Sequence, residues 1–313
     1  MNILSLFDGM SCGQIALNRI GISYDNYYAS EIDKHAIKVT QANYPDTIQL
    51  GDVMKLKTEE LEPIDLLIGG SPCQSFSFAG KRKGMSTKDE IEILTLEQYL
   101  ELKENGFEFE GQSFLFWEYM KILKEVKPKY FLLENVKMSK KWEKILSEAI
   151  GVEPILINSS LVTAQNRKRL YWTNIPNIEQ PENKGLVIKD IFTGGVDITE
   201  RFLSKKEGTL AYTKSRNSVK TLLDKAKCLT TGGQNIANSG ATNIKIDDKY
   251  YSFSITEQEA LQTVPKKYTN HTSKTQRARM IGNGWTIDVI AHIFKNIPDL
   301  QIENDIVKRD DLI

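Results

Sequence analysis

The first half of the chain alternates short apolar runs with segments whose apolar residues recur at helical spacing. Residues 2–7, 26–30, 64–68, 130–133, 152–158 and 170–173 read as strands. Residues 12–20, 34–43, 114–126 and 141–150 read as helices, the first with Ile15, Ala16 and Ile20 on one face. Strands that alternate with helices in this way predict an α/β fold, a mostly parallel sheet with helices on both faces. From about Pro176 the periodicity weakens, and Pro, Gly, Asn, Ser and Thr become frequent. After Thr286 the run Ile287, Val289, Ile290, Ile293 and Phe294 restores a helical apolar face, expected to pack back on the first unit. This pattern divides the chain into a larger domain, 1–175 with 273–313, and a smaller irregular or β-rich domain, 176–272. The acidic stretch 85–111, with Leu94, Leu96, Tyr99, Leu100 and Leu102, fits neither and reads as a short helical insertion near the mouth of the site.

Composition narrows the class without naming an activity. With 40% apolar and 26% charged residues in 313, the chain reads as an ordinary soluble protein. No apolar run approaches the length of a membrane span, so no membrane partner is expected. The apolar start, Met1 to Phe7, lacks a basic flank and a small-residue cleavage site, and reads as a strand rather than a signal peptide. Cys12, Cys73 and Cys228 are few, far apart and odd in number, which points to free thiols in a reducing compartment. A formal net charge of zero neither advertises nor excludes nucleic acid. Locally the balance shifts: from Arg201 to Lys227 eight cations stand against Glu207 and Asp224 alone. Such a segment suits a solvated surface as well as a phosphate-contacting face.

Cys73 carries the most pointed chemistry. It lies in Gly69-Gly70-Ser71-Pro72-Cys73-Gln74-Ser75-Phe76, directly after Ile64-Asp65-Leu66-Leu67-Ile68. A buried strand closed by two glycines presents the thiol at a carboxyl edge, where open α/β sheets bind ligands. Phe7-Asp8-Gly9-Met10-Ser11-Cys12-Gly13 follows the first strand and opens a helix, without the three-glycine spacing of a pyrophosphate site. Glu31 closes the second strand, and Gly51-Asp52-Val53 puts another acid near the end of a third. Each acid alone also suits a helix cap. Together, in strand order, they suggest a nucleoside cofactor without a pyrophosphate, a description that S-adenosylmethionine fits.

Glu134 ends the run Phe131-Leu132-Leu133. A partly desolvated carboxyl group there suits a general acid, or a buried partner for a Lys or Arg. Arg167 and Arg169, at alternate positions, put both guanidinium groups on one side of an extended chain, at a site or on a solvated turn. Two other chemistries lack their residues. A zinc nucleobase deaminase needs Pro-Cys-x-x-Cys and His-x-Glu, but Phe76 stands at the second cysteine position and no His-x-Glu occurs. A nicotinamide dehydrogenase needs a dinucleotide fingerprint that the first motif does not supply.

In order, and over essentially the whole chain, these segments resemble the motifs of the cytosine-C5 DNA methyltransferases. The matching segments are Phe-Asp-Gly, Glu31, Asp52, Ser-Pro-Cys-Gln, Glu-Asn-Val, Gln-Asn-Arg-Lys-Arg and Met280-Ile281-Gly282-Asn283-Gly284-Trp285. Thr256 to Pro265 resembles the segment that leads back from the family's recognition domain. The chain departs from the pattern at Ser11 and Cys12, where the family usually has glycine, and at Lys227-Cys228-Leu229-Thr230, where it often has Thr-Leu. Phe-Asp-Gly and Trp285 are similar to the animal de novo enzymes, whereas the basic segment looks like a bacterial or phage recognition domain.

The resemblance implies a Rossmann-like, S-adenosylmethionine-dependent methyltransferase sheet and methyl transfer to C5 of a flipped cytosine in duplex DNA. Cys73 would add at C6, Glu134 would hold N3 and the exocyclic amine, Arg169 would hold O2, and Arg167 would add positive field at the thiol. The cofactor would meet Phe7, Asp8, Gly9, Met10, Glu31, Ile32, Asp52, Val53, Ser71, Pro72, Leu115, Asn283, Gly284 and Trp285. DNA would meet Gln74, Ser75, Lys81, Arg82, Lys83 and Gln165, and its sequence would be read by Thr230, Thr231, Gly232, Gly233 and Gln234. No metal is expected. A monomer acting on a specific cytosine-containing site, in the cytoplasm of a bacterial or phage-infected cell, is. Two competing readings are a tRNA methyltransferase on the same scaffold and an inactive DNA-binding relative. The latter should have lost Cys73, Glu134 or Arg169, and all three are present.

Overall fold

The computed structural model describes residues 1–72, 85–234 and 240–298. Its large sheet contains β1 (Asn2–Leu6), β2 (Asn26–Ser30), β3 (Ile48–Gln49), β4 (Leu66–Gly69), β5 (Tyr130–Val136), β6 (Ile155–Asn158) and β7 (Lys168–Thr173). These seven strands lie in the order β3-β2-β1-β4-β5-β7-β6. Neighbours are parallel except for β7, which runs antiparallel to both β5 and β6. The chain moves outward from β1 to β3 and then restarts on the other side of β1 with β4. Such a reversal opens a crevice at the carboxyl edge of the strands.

Alternation along each strand sends side chains to two faces. Ile3, Leu66, Ile68 and Leu132 enter one apolar cluster, and Leu4, Leu67, Phe131 and Leu133 enter the other. The first cluster is covered by α1 (Cys12–Arg19) and α2 (Lys34–Asn43), the second by α3 (Leu96–Glu104), α4 (Leu115–Val126) and α5 (Lys140–Ile150). One strand runs past its expected end. β5 continues through Glu134 and Asn135 to Val136, because antiparallel β7 pairs Tyr171 with Glu134 and Arg169 with Val136. Glu134 is therefore held inside a strand rather than in the turn after it. In the insertion 85–111, α3 is flanked by two isolated bridges, Ser86 to Glu92 and Thr87 to Phe109.

Beyond β7 the elements shorten: α6 (Ile188–Ile191), β8 (Val196–Asp197), α7 (Thr199–Leu203), α8 (Leu210–Arg216), β9 (Val219–Lys220), β10 (Asn243–Ile246) and β11 (Lys249–Ser252). Four of them form a second sheet, β8-β11-β10-β9. Among the described residues its own cluster has Ile198 and Phe202 as buried members, with Val219 and Tyr250 against them. Ala226, Leu229, Ile244 and Phe253 belong instead to the first cluster of the large sheet. The chain then returns through α9 (Ile255–Leu261), α10 (Lys274–Asn283) and α11 (Ile287–Phe294). α11 packs its buried Ile287, Val289, Ile290, Ile293 and Phe294 into the cluster of α1, and Arg19 pairs with Asp288. Among the described residues no helix is long and apolar enough to cross a membrane.

Candidate active site

The loop after β1 contains three left-handed residues, Phe7 (φ 57°), Gly9 (φ 61°) and Ser11 (φ 61°). Side chains disfavour this region, so neighbours must fix Phe7 and Ser11 there. Asp8 supplies the fixing: its Oδ2 accepts from Ser11 Oγ at 2.6 Å and its Oδ1 from the Tyr27 hydroxyl at 2.8 Å. Gln14 Nε2 donates to the same Ser11 Oγ at 2.8 Å. Burial pushes the Asp8 carboxyl up to about 6, against these bonds, which favour the charged form. Asp8 is thus a brace beneath the loop. Met10 is buried too, its carbonyl accepting from the Tyr268 hydroxyl at 2.8 Å.

Phe7 and Gly9 keep partial exposure. The Gly9 amide donates to Glu31 Oε2 at 2.7 Å, while Glu31 Oε1 accepts the amides of Ile32 and Asp33, each at 2.8 Å. Glu31 therefore ties the ends of β1 and β2 together. Beside it Ile32 is 69% exposed, an apolar side chain standing at the carboxyl edge. Ser30 Oγ donates to the Gly51 carbonyl at 2.8 Å and so brings Asp52 alongside. Asp52 caps the turn Val53–Lys55 by accepting the Met54 amide at 3.0 Å. Val53 is buried in the same cluster against which the partly buried Leu115, first residue of α4, packs.

On the other side of the crevice β4 and β5 end together. Asn135 Nδ2 reaches Ser71, 3.1 Å from its Oγ and 3.2 Å from its carbonyl, and so fixes the turn that leads through Pro72 to Cys73. Glu134, 8% exposed, pairs through Oε1 with Arg169 Nε at 2.8 Å. Its Oε2 accepts from Trp285 Nε1 at 3.1 Å. Gly70 permits that meeting: a β-carbon there would lie 3.0 Å from Trp285 Nε1 and 3.2 Å from Glu134 Oε2. The result is a nearly buried carboxylate oriented by two donors at the strand edge. Cys73, Gln74, Ser75, Lys81, Arg82 and Lys83 lie outside the described residues.

The two expected site arginines take different partners. Arg167 lies one residue before β7, is 3% exposed, and turns into the protein. Its Nη1 donates to the Leu229 carbonyl at 3.0 Å, and its Nη2 to the carbonyls of Gly284 at 2.8 Å and Gly282 at 3.2 Å. These carbonyls face its charge, the Gly284 carbonyl accepting from Gln262 Nε2 as well, at 2.9 Å. Burial, and then the neighbouring Arg169, pulls the Arg167 guanidinium down from its ordinary pKa. Cys228 Sγ accepts from Arg167 Nη1 at 3.3 Å. Burial works to raise that thiol, but Arg167 and Arg169 outweigh it and the net shift is downward.

Gln165 is corrected as a DNA contact. It is fully buried, with Nε2 donating to the Leu261 carbonyl at 2.9 Å and Oε1 accepting the Leu229 amide at 2.7 Å. Among the expected sequence-reading residues, Thr231 and Gly232 are exposed and Thr230 is half-buried. Gln234 Oε1 accepts the Thr242 amide at 3.1 Å, and Gly233 is buried, where a β-carbon would meet Ala278 at 3.2 Å. Asn283 is exposed beside half-buried Gly284. The basic stretch is partly engaged internally: Lys225 Nζ donates to the carbonyls of Ser160 and Thr163, and Arg216 stacks over Phe202 and Tyr212. Sequence reasoning missed the bonds from Trp285 to Glu134 and from Asn135 to Ser71. The amide beside the acid in Glu134-Asn135 was the one available signal.

The model of the family described as C-5 cytosine-specific DNA methylase matches residues 1–224 and 193–299. The orphan methyltransferase M.SPRI of Bacillus phage SPR is 36% identical over 188 residues, 56% of this chain and 38% of that protein. A putative type II methyltransferase of Bacillus subtilis (strain 168), M.BsuMIIP, is 34% identical over 200 residues, 56% of this chain and 45% of that protein. The matched segments thus span less than half the length of these relatives. Among solved structures, a Spodoptera frugiperda DNMT2 superposes with a TM-score of 0.66 at 19% identity, covering 94% of this chain and 98% of that one. A putative DNA modification methyltransferase from an Escherichia coli prophage gives 0.59 at 18% identity, covering 96% and 99%. At such identities these structures speak for the fold. The family match speaks for the rest, and on it the chain belongs to the C-5 cytosine-specific DNA methylases.

Proposed function

We propose that the protein transfers a methyl group from S-adenosylmethionine to C5 of a cytosine flipped out of duplex DNA, through a covalent bond between Cys73 and C6. The observation that carries this reading is Glu134, held by Arg169 and Trp285 beside the turn that leads to Cys73. Cytosine C5 is a poor nucleophile until a thiolate adds at C6 and leaves an enamine. A free thiol is only about three per cent ionised at pH 7, so the attack gains from a nearby positive charge, which Arg169 supplies. Glu134, protonated in the complex, gives its proton to N3 as Cys73 adds and recovers it when the sulfur leaves. Arg169 steadies O2. Once C5 carries the methyl group, a solvent water takes the C5 proton, the C5–C6 double bond re-forms and the C6–sulfur bond breaks, releasing Cys73 as a thiolate.

The cofactor side fits a nucleoside without a pyrophosphate. Exposed Ile32 offers an apolar face to a base, and Glu31 and Asp52 offer carboxylate acceptors to hydroxyl and amino groups. When bound, S-adenosylmethionine supplies the electrophilic methyl group. Residues 1–175 with 273–313 carry this chemistry in our reading, and 176–272 reads the site, with exposed Thr231 and Gly232 meeting base edges. The target base has to leave the stack to reach Glu134, and Lys81, Arg82 and Lys83 contact phosphates around it.

Bisulfite sequencing of plasmid DNA and total RNA from cells expressing the chain tests the reading. Protected cytosines are expected at one short DNA sequence, and none with Cys73→Ser. Protection confined to RNA would replace the substrate, and protection that persists in Cys73→Ser would remove the nucleophile.

A further inference from the structure

The insertion 85–111 has no part in the chemistry above, yet it is built into the wall of the cofactor side. Met85, Ile93 and Tyr99 are fully buried in the cluster that contains Val53. The Tyr99 ring packs against Phe109 and Phe114, with centroids 5.1 and 6.1 Å away. Its hydroxyl reaches two places at once. It donates to Glu118 Oε1, and it lies 3.7 Å from Met54 Sδ. Met54 belongs to the turn that Asp52 caps. Glu118 sits one turn into α4, three residues after Leu115. Asp52, Val53 and Leu115 are the residues assigned to the cofactor on that side, so one hydroxyl spans both walls.

The Glu118 carboxylate is fully buried and also pairs with Lys103 of the same insertion. Its Oε2 has no hydrogen-bond partner among the described residues. A buried carboxylate that depends on Tyr99 and Lys103 alone cannot shift without losing them, which makes the start of α4 stiff. Burial, and then Glu118, raise the Tyr99 hydroxyl above its ordinary pKa, so it stays a donor.

We infer that the insertion is a brace that sets the width of the cofactor pocket, with Tyr99 as its positioning residue between Met54 and Glu118. The inference rests on the assignment of Asp52, Val53 and Leu115 to S-adenosylmethionine. A cofactor that finds both walls in place loses less freedom on binding than one that must order them.

The test is Tyr99→Phe, which keeps the ring and removes the hydroxyl. The expected result is about a tenfold weaker affinity for S-adenosylhomocysteine by calorimetry, a matching rise in KM for S-adenosylmethionine, and an unchanged kcat at saturation. In cofactor-free protein, amide exchange should quicken at Met54 and Leu56 and stay unchanged in β1. Met54→Ala withdraws the side chain that the hydroxyl touches on the other side and should give the same loss, with the double variant no worse than either single one. A lower Tm with unchanged affinity and exchange would reduce Tyr99 to ordinary packing and overturn the inference. Wild-type protein that fails to bind S-adenosylhomocysteine would instead overturn the cofactor reading on which it rests.

Discussion

In the large sheet β1 is buried from Ile3 to Leu6, β4 along its whole length, and β5 from Phe131 to Asn135. In the small sheet no strand exceeds four residues, and β8 is exposed at both positions. The first region holds itself by burying apolar strands on two faces. The second has a core of Ile198 and Phe202 and leans on its neighbour for the rest. At that seam polar contacts run beside the shared apolar packing of Ala226, Leu229, Ile244 and Phe253. Arg167 takes carbonyls from Leu229, Gly282 and Gly284, Gln165 joins Leu229 to Leu261, and Asn166 and Ala164 trade backbone bonds with Ala226. A region with little core of its own is thus positioned by shared apolar packing and a few saturated polar groups, and its placement against the large sheet depends on both.

Arg167→Met should break that arrangement most. The substitution keeps apolar volume but takes a charged donor from three carbonyls, leaving Gly284 with Gln262 Nε2 and Leu229 with the Cys228 thiol, and an acceptor left unpaired when buried costs about 1–3 kcal/mol. A destabilisation of about 3 kcal/mol or more is expected in urea unfolding. Amide exchange should rise first at Leu229 and in β9 and β10, and only later in β1 and β4. Loss below about 1 kcal/mol, or equal loosening of both sheets, would show that the seam does not carry the small region.

The same contrast explains what was legible in the sequence. Helices α1, α2, α4 and α5 and strands β1, β2 and β7 announce themselves through period and apolar content, because each is decided by local burial. The β5 extension was hidden, since it depends on where β7 lies, which no local pattern encodes. Arg167 and Arg169 look equivalent as alternate residues, yet one turns to loop carbonyls from sequence positions 229 to 284 and the other to Glu134. That choice is made by long-range acceptors. The motifs named Glu134, Arg169 and Trp285 separately, but not that the last two donate to the first, because the three lie on two strands and a loop far apart in the chain.

Gly282→Ala probes the seam from the side of α10. A β-carbon at Gly282 would lie 2.4 Å from the Thr230 carbonyl carbon and oxygen and 2.7 Å from the Thr231 amide. Backbone cannot swing aside as a flexible side chain does, so either α10 or the 230–231 segment must retreat, at a cost of about 1–3 kcal/mol. The accompanying effect should fall on DNA recognition, since Thr231 is among the exposed residues there. Weaker DNA binding with unchanged S-adenosylhomocysteine affinity is expected, by filter binding and calorimetry. Loss of both in equal measure would mean that α10 moved instead and that the two regions share one rigid frame.

The last effect separates the regions by pH. Asp8 is buried in the large region and its carboxyl is pushed up to about 6 from an ordinary value of 3.8. The folded state therefore holds this proton more tightly than the unfolded chain. The stabilisation it contributes is complete below 3.8 and is lost as pH rises through about 6. Between those limits one proton gives a slope of at most about 1.4 kcal/mol per pH unit. Asp8→Asn removes the titration while leaving a side chain that can still meet Ser11 and Tyr27, whose hydroxyls can reverse their roles. The stability difference between wild type and variant should then tilt in favour of the variant as pH rises from 4 to 7. Exchange at Gly9 and Ser11 should follow the same titration in wild type, and local opening in β10 and β11 should not. A difference that stays flat would mean that Asp8 keeps an ordinary carboxyl and that the strained loop is held by backbone packing alone.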